Sequence, residues 1–187
     1  MLKAIAHKIM HCYPGMVAIV TVSHNGEDNV MAAGWHSYIS FTPPIYGVAI
    51  GPERHTYQLV KNEGTFAINF LPLEKAKFIQ EVGTLSGADL NKFKKGYMSY
   101  NPGPHTGNPI LDDAYVAYEC KTIDCNSYGD HDWFVGDIVQ FHMDKAKFLD
   151  NGLPNFENLS IPLYLGRSLY TSVEENSRFE NHRVQKE

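Results

Sequence analysis

A mainly β fold, an antiparallel barrel that is closed or partly closed and carries short helical insertions, is predicted by this 187-residue sequence. Three observations carry the prediction. Alternating and β-branched runs lie on both sides of a central stretch with helical spacing. The pair Asn25-Gly26 joins the first two runs as a tight hairpin turn. Several strands flanking one helical insert suit a single closed or nearly closed antiparallel sheet.

Residues 14–24 (PGMVAIVTVSH) form the first strand and 29–40 (NVMAAGWHSYIS) the returning one. The break at Thr42-Pro43-Pro44 precedes a third strand, IYGVAIG, which ends at Gly51-Pro52. A polar loop carrying Arg54, His55 and Thr56 then opens a short helix that stops at Gly64, and TFAINFL follows as a strand. Ala76, Phe78, Ile79 and Val82 recur near helical spacing within 73–86, and a second helical piece is expected around 89–95. Residues 97–109, rich in Gly, Pro and Asn, are expected to be loop. The segments AYVAYECKTIDCNSYGD, DWFVGDIVQFHMD and IPLYLGRSLYT supply the remaining strands. The domain is expected over 1–170, with 171–187 as a C-terminal tail or arm of low apolar content.

The composition excludes several classes. No apolar run approaches the roughly 18 to 20 residues that span a bilayer, so no membrane role is expected. In MLKAIAHKIMHCYPG, His7, Lys8 and His11 interrupt the apolar run and no small-residue cleavage site follows; a signal peptide is not expected, and the expected location is cytoplasmic. A net charge of −5 without a basic face argues against nucleic acid as a partner. The one dense basic run, Asn91 to Lys95, reads as a solvated helix end. Cys12, Cys120 and Cys125 are expected to be free thiols, and no spacing of His and Cys builds a metal site. The sequence has no G-x-G-x-x-G after a strand, no P-loop, no H-E-x-x-H and no G-x-S-x-G.

Positive signals come from three places. Ala32-Ala33-Gly34, followed by Trp35, His36 and Ser37, would let a flat ligand approach strand backbone groups. Arg54-His55-Thr56 combines a guanidinium, an imidazole and a hydroxyl at a helix N-terminus, a setting that suits phosphate as well as ordinary capping. GDHDWFVGDIV places His131 between Asp130 and Asp132 at a strand mouth, open to three readings: metal ligand, catalytic residue or turn histidine.

In order along the chain, NVMAAGWHSYISFTPPIYGVAI, ERHTYQLVKNEGTFAINFL, GDHDWFVGDIV and PLYLGRSLY resemble the flavin reductase-like, FMN-binding split-barrel family, to which flavoredoxins and archaeal ferric reductases belong. The resemblance implies an FMN-binding split β-barrel of Greek-key type that forms a homodimer and binds FMN near the dimer interface. Carried over by residue, Ala32, Ala33, Gly34, Trp35, His36 and Ser37 line the flavin ring, and Ile39 and Ser40 lie beside the ring and its ribityl chain. Arg54, His55 and Thr56 form the phosphate loop, and His131 stands near the ring and the nicotinamide. The family often has Thr or Ser where this chain has Ala32-Ala33-Gly34, so backbone contacts replace hydroxyl contacts here.

The implied activity is hydride or electron transfer from NADH or NADPH through FMN to free flavin, a ferric complex or a protein acceptor. Two alternatives accompany it: an FMN-binding electron carrier without direct nicotinamide activity, and a barrel that has kept the fold without the cofactor.

Overall fold

The computed structural model describes residues 2–8, 14–96 and 98–182, so Cys12 lies outside the described residues. β1 (Ala18–His24) and β2 (Glu27–Ala33) form the opening hairpin, with His24 opposite Glu27. Asn25 and Gly26 both take positive φ, 51° and 81°, the backbone that a two-residue turn between twisted strands requires.

The returning strand is two strands rather than one. β2 stops at Ala33, the chain bends at Gly34-Trp35, and β3 (His36–Ser40) continues against β4 (Ile45–Ile50). The remaining strands of the main sheet are β5 (Thr65–Phe70), β8 (Val116–Tyr128) and β9 (His131–Met143). Its order is β2-β1-β5-β8-β9-β4-β3, antiparallel throughout. The two edges are therefore successive halves of one bent stretch. Trp35 begins the second pairing by accepting the Ala49 N–H at 2.9 Å. Joining both edges through two residues closes the sheet into the expected split barrel.

α1 (His55–Glu63) ends as expected at Gly64, whose φ of 71° only glycine adopts cheaply. A short 3₁₀ turn at 73–75 leads into α2 (Ala76–Thr84), and α3 (Lys92–Gly96) follows. Alternation on β1 explains why the helices lie outside the barrel. Ala18, Val20 and Val22 join the barrel interior with Val48, Ile50, Phe66 and Phe134, whereas Ile19 faces Phe78, Ile79 and Val82 of α2. Each fully buried Phe, such as Phe66 or Phe134, contributes about 1.5–3 kcal/mol to that core.

Two regions differ from the sequence expectation. The expected loop 97–109 contains β6 (Tyr100–Pro102), which pairs with β7 (Pro109–Leu111). The single strand expected at 161–171 is a hairpin of β10 (Ile161–Gly166) and β11 (Leu169–Val173). Arg167 and Ser168 make its turn with φ of 52° and 63°, left-handed values reached without an Asn-Gly pair. Cys120 is buried and Cys125 half-buried, both as free thiols. Among the described residues, no helix is long and apolar enough to cross a membrane.

Candidate functional site

A cleft of about 550 Å³ opens where the β2–β3 bend meets the start of α1, the segment after α2 and the mouth of the β8–β9 hairpin. That size lies within the range of small-molecule sites, roughly 300–1,000 Å³. The folding logic is local. Gly34 and the alanines before it keep one wall thin, and Gly83 packs close enough that an added Cβ would sit 3.2 Å from the Ala32 methyl. At Gly87, an added Cβ would strike the Asn29 amide.

One part of the cleft is built for an anion. Thr56, 1% exposed in the first turn of α1, accepts the Asn29 Nδ2–H at 2.8 Å, which leaves its own hydroxyl proton to donate. The α1 N-terminus has no side-chain cap and no acidic residue in its first turn, so its backbone N–H groups add positive potential. Arg54 stands at this terminus, half-exposed, with Nε 3.1 Å from Glu53 Oε1. His55 turns outward to Glu27, its Nε2 2.5 Å from Oε1.

The strongest cation here is one that sequence reasoning missed. Lys92 lines the cleft at 6% exposure, its Nζ donating to the Val82 carbonyl at 2.9 Å. Burial first, and the Arg54 charge second, push its pKa down to about 8. The reading of Asn91 to Lys95 as a solvated helix end holds for Lys94 and Lys95, which are exposed, and fails for Lys92. α3 packs beside α2 and turns this side chain inward. Nothing in the run NKFKK distinguishes its first lysine from the other two.

The other part of the cleft is aromatic. The Trp35 ring lies 4.7 Å from the His131 ring at an interplanar angle of 59°. His131 Nδ1 is held by Asp130 Oδ1 at 2.8 Å, which leaves Nε2 for a ligand. Asp132 points the other way, accepting from Tyr57 Oη at 2.5 Å and Ser127 Oγ at 2.6 Å. The two acids around His131 thus differ in role: Asp130 orients the imidazole, and Asp132 fastens the hairpin mouth to α1. Hydrogen bonds from Ser127 and Tyr57 hold the Asp132 carboxyl below its ordinary value. No group of three His, Cys, Asp or Glu among the described residues is placed to hold a metal.

β2 connects the two parts. Asn29 touches Thr56, and Trp35, six residues on, touches His131. At about 3.3 Å per strand residue the cleft wall runs roughly 20 Å. Such a wall suits a long ligand with an anionic end and a flat end.

Ala32, Ala33, Gly34, Trp35, Arg54, His55, Thr56 and His131 come together along this cleft. Four other candidates do not line it. The His36 imidazole turns inward, 2.7 Å from Tyr46 Oη and 3.0 Å from the Met16 carbonyl, and burial pushes its pKa down. It ties the Met16 wall of the cleft to β3. Ser37 Oγ donates to the Tyr38 carbonyl, and Ile39 is 48% exposed. Ser40 ends β3 opposite Ile45. The bend at Gly34-Trp35 is the reason, since it carries everything after it to the β4 edge. Tyr164 reaches the cleft because Gly15 and Tyr164 exchange both backbone bonds, at 3.1 and 2.7 Å.

Residues 10–173 match the family described as the flavin reductase like domain. A protein of Aeropyrum pernix is 35% identical over 162 residues, 83% of this chain; the chain spans 59% of that relative's length. A ferric-chelate reductase (NAD(P)H) of Archaeoglobus fulgidus is 30% identical over 123 residues, 65% of this chain and 71% of its own. Among solved structures, the FMN-binding protein of Thermus thermophilus, with bound cyclohexenone, superposes with a TM-score of 0.85 at 32% identity, covering 96% of this chain and all of that one.

Proposed function

The chain belongs to the flavin reductase-like family, and from that premise we propose that it binds FMN in the cleft and passes hydride or electrons from NADH or NADPH to an acceptor, whether free flavin, a ferric complex or a protein. One observation carries the reading: Lys92, Arg54 and the Thr56 hydroxyl converge at one part of a narrow cleft whose other part holds Trp35 and His131. A phosphate ester joined through a flexible chain to a flat ring fits that order of groups. The Thermus relative is described as FMN-binding, and the Archaeoglobus relative as using NAD(P)H, which supports both halves of the proposal.

FMN, when bound, accepts a hydride from the nicotinamide and releases electrons one or two at a time. The protein's share is position and electrostatics. Lys92, Arg54 and the α1 N–H groups neutralise the phosphate; the thin wall at Ala32-Ala33-Gly34 admits the ring against backbone groups. With Nδ1 engaged by Asp130, His131 offers Nε2 as the donor or acceptor beside the ring.

Added FMN is expected to be retained on gel filtration, to lose fluorescence on binding, and to be bleached by NADH or NADPH in anaerobic rapid mixing. An unchanged flavin spectrum at saturating protein would end the proposal. Bleaching by dithionite alone would leave the electron-carrier reading. His131→Ala is expected to slow bleaching by about 10²-fold while changing FMN affinity less than fivefold. Equal bleaching rates would return His131 to a turn role.

A second copy of the chain belongs to this proposal. Tyr38, Phe41, Phe141 and Met143 are 45%, 89%, 48% and 52% exposed on β3, the segment after it and β9, an apolar face that suits a self-interface. Ile39 and Ser40 lie on the same strand and would meet the neighbour there. Light scattering is expected to give twice the chain mass, and Phe141→Asp to give monomers; a monomeric parent protein would remove this part.

A further inference from the structure

Next to the cleft, on the far side of the Trp35–His131 pair, a second hollow of about 280 Å³ is lined by Trp35, Ala49, Tyr128, Asp130, His131 and Trp133. We propose that this hollow is a separate subsite for a planar cationic aromatic ring of the N-alkylpyridinium class. Three features point to that ligand. The first is shape: Ala49 forms a small floor opposite Trp133 in the β4–β9 ladder, so a flat group enters between large rings.

The second is rigidity. The Trp133 ring lies over Gly47, where an added Cβ would be 2.5 Å from the indole, and Trp35 rests on His131. Those walls lose little freedom when a ligand binds, whereas Tyr128, 69% exposed at the hairpin end, is an outer flap.

The third is charge. Electron-rich indole and phenol faces attract cations, and the Asp130 carboxylate stands at the rim, its side chain 91% exposed. His131 holds that carboxyl below its ordinary value, and the Lys8 ammonium adds to the effect, so the rim already draws a cation. A neutral or anionic ring would gain the stacking without the charge. The volume accepts one ring with its substituents and excludes a dinucleotide.

Oxidised nicotinamide belongs to this class, so on the FMN reading above the hollow would receive that ring beside the cleft. The subsite itself stands apart from FMN binding. Trp35 and Trp133 are the two tryptophans of the chain, and both line the hollow, so their fluorescence reports on it directly.

The probe is 1-methylnicotinamide, titrated at fixed ionic strength into the whole protein with and without FMN, against neutral nicotinamide as control. Saturable quenching is expected with the cation, at least fivefold tighter than with the neutral amide. Tyr128→Ala should weaken the cation roughly fivefold and leave FMN affinity unchanged. Asp130→Asn should narrow the gap between cation and amide. Equal affinities, quenching that does not saturate, no effect of Tyr128→Ala, or competition by FMN would each overturn the subsite. Saturable cation binding by a protein that fails to bind FMN would sustain the subsite and sink the flavin reading.

Discussion

Lys92→Met is expected to weaken FMN binding about tenfold to a hundredfold at pH 7, with riboflavin, which lacks the phosphate, changed less than twofold. A charge-assisted hydrogen bond contributes about 1.5–3 kcal/mol, and Lys92 Nζ spends one proton on the Val82 carbonyl, leaving two for a phosphate. Arg54→Ala should cost less, because that side chain is half-exposed and already faces Glu53. The pH profile separates the two cations. Burial and Arg54 lower Lys92 to about 8 in the empty protein. Below that value the ammonium is already present. Above it, binding must take up a proton, so FMN affinity should fall with rising pH by as much as tenfold per unit, while riboflavin affinity stays flat.

The same shift sets the sign for stability. A lysine lowered in the folded state binds fewer protons there than in the unfolded chain, so the empty protein gains stability as pH rises from about 8 towards the usual lysine value. Lys92→Met removes that dependence. Titration of FMN and riboflavin from pH 6.5 to 9.5 with both proteins checks each statement, and equal losses for the two flavins would rule out a phosphate contact.

That the decisive cation went unread in the sequence has a physical reason. Local signals such as Asn25-Gly26 and Gly64 specify turns because the backbone itself demands φ > 0 there. They made the opening hairpin, α1 and the main strands legible. Lys92 carries no such mark, since only the packing of α3 beside α2 separates it from Lys94 and Lys95. The bend at Gly34-Trp35 was hidden for a related cause. A glycine without positive φ, inside an otherwise strand-like run, left the alternation intact, so the change of partner from β1 to β4 could not be read, and Ser37, Ile39 and Ser40 were placed in the cleft with Ala32 and Ala33. The Arg167-Ser168 turn lacks the Asn-Gly signal altogether. His131 was legible as a candidate, but the division of labour between Asp130 and Asp132 required coordinates.

Glu119→Leu is expected to destabilise the fold by about 3–5 kcal/mol while leaving FMN affinity within twofold. Glu119 is fully buried on β8 and does not line the cleft. Its Oε2 accepts from His105 N at 3.0 Å, Thr106 N at 2.7 Å and Thr106 Oγ1 at 2.9 Å, and Oε1 lies 2.9 Å from His142 Nε2. One carboxylate thus gathers the turn between β6 and β7 and ties it to β8 and β9. Gly103 is required beside it, because an added Cβ would come within 2.5 Å of Oε2. Removing the acceptor strands two backbone donors, and the loss should lower Tm by roughly 10 °C for a chain of this size. Burial pushes the carboxyl up, but the bonds from His142, Thr106 and His105 outweigh it and hold the pKa below the usual glutamate value. A lowered acid stabilises the fold above its unfolded pKa, and that contribution is lost as pH falls through the folded one. The stability gap between the parent protein and Glu119→Gln, measured by urea unfolding, should therefore be widest near neutral pH and shrink below about pH 4, in the range of the unfolded glutamate. A gap independent of pH would mean that the side chain matters for its shape and not for its charge.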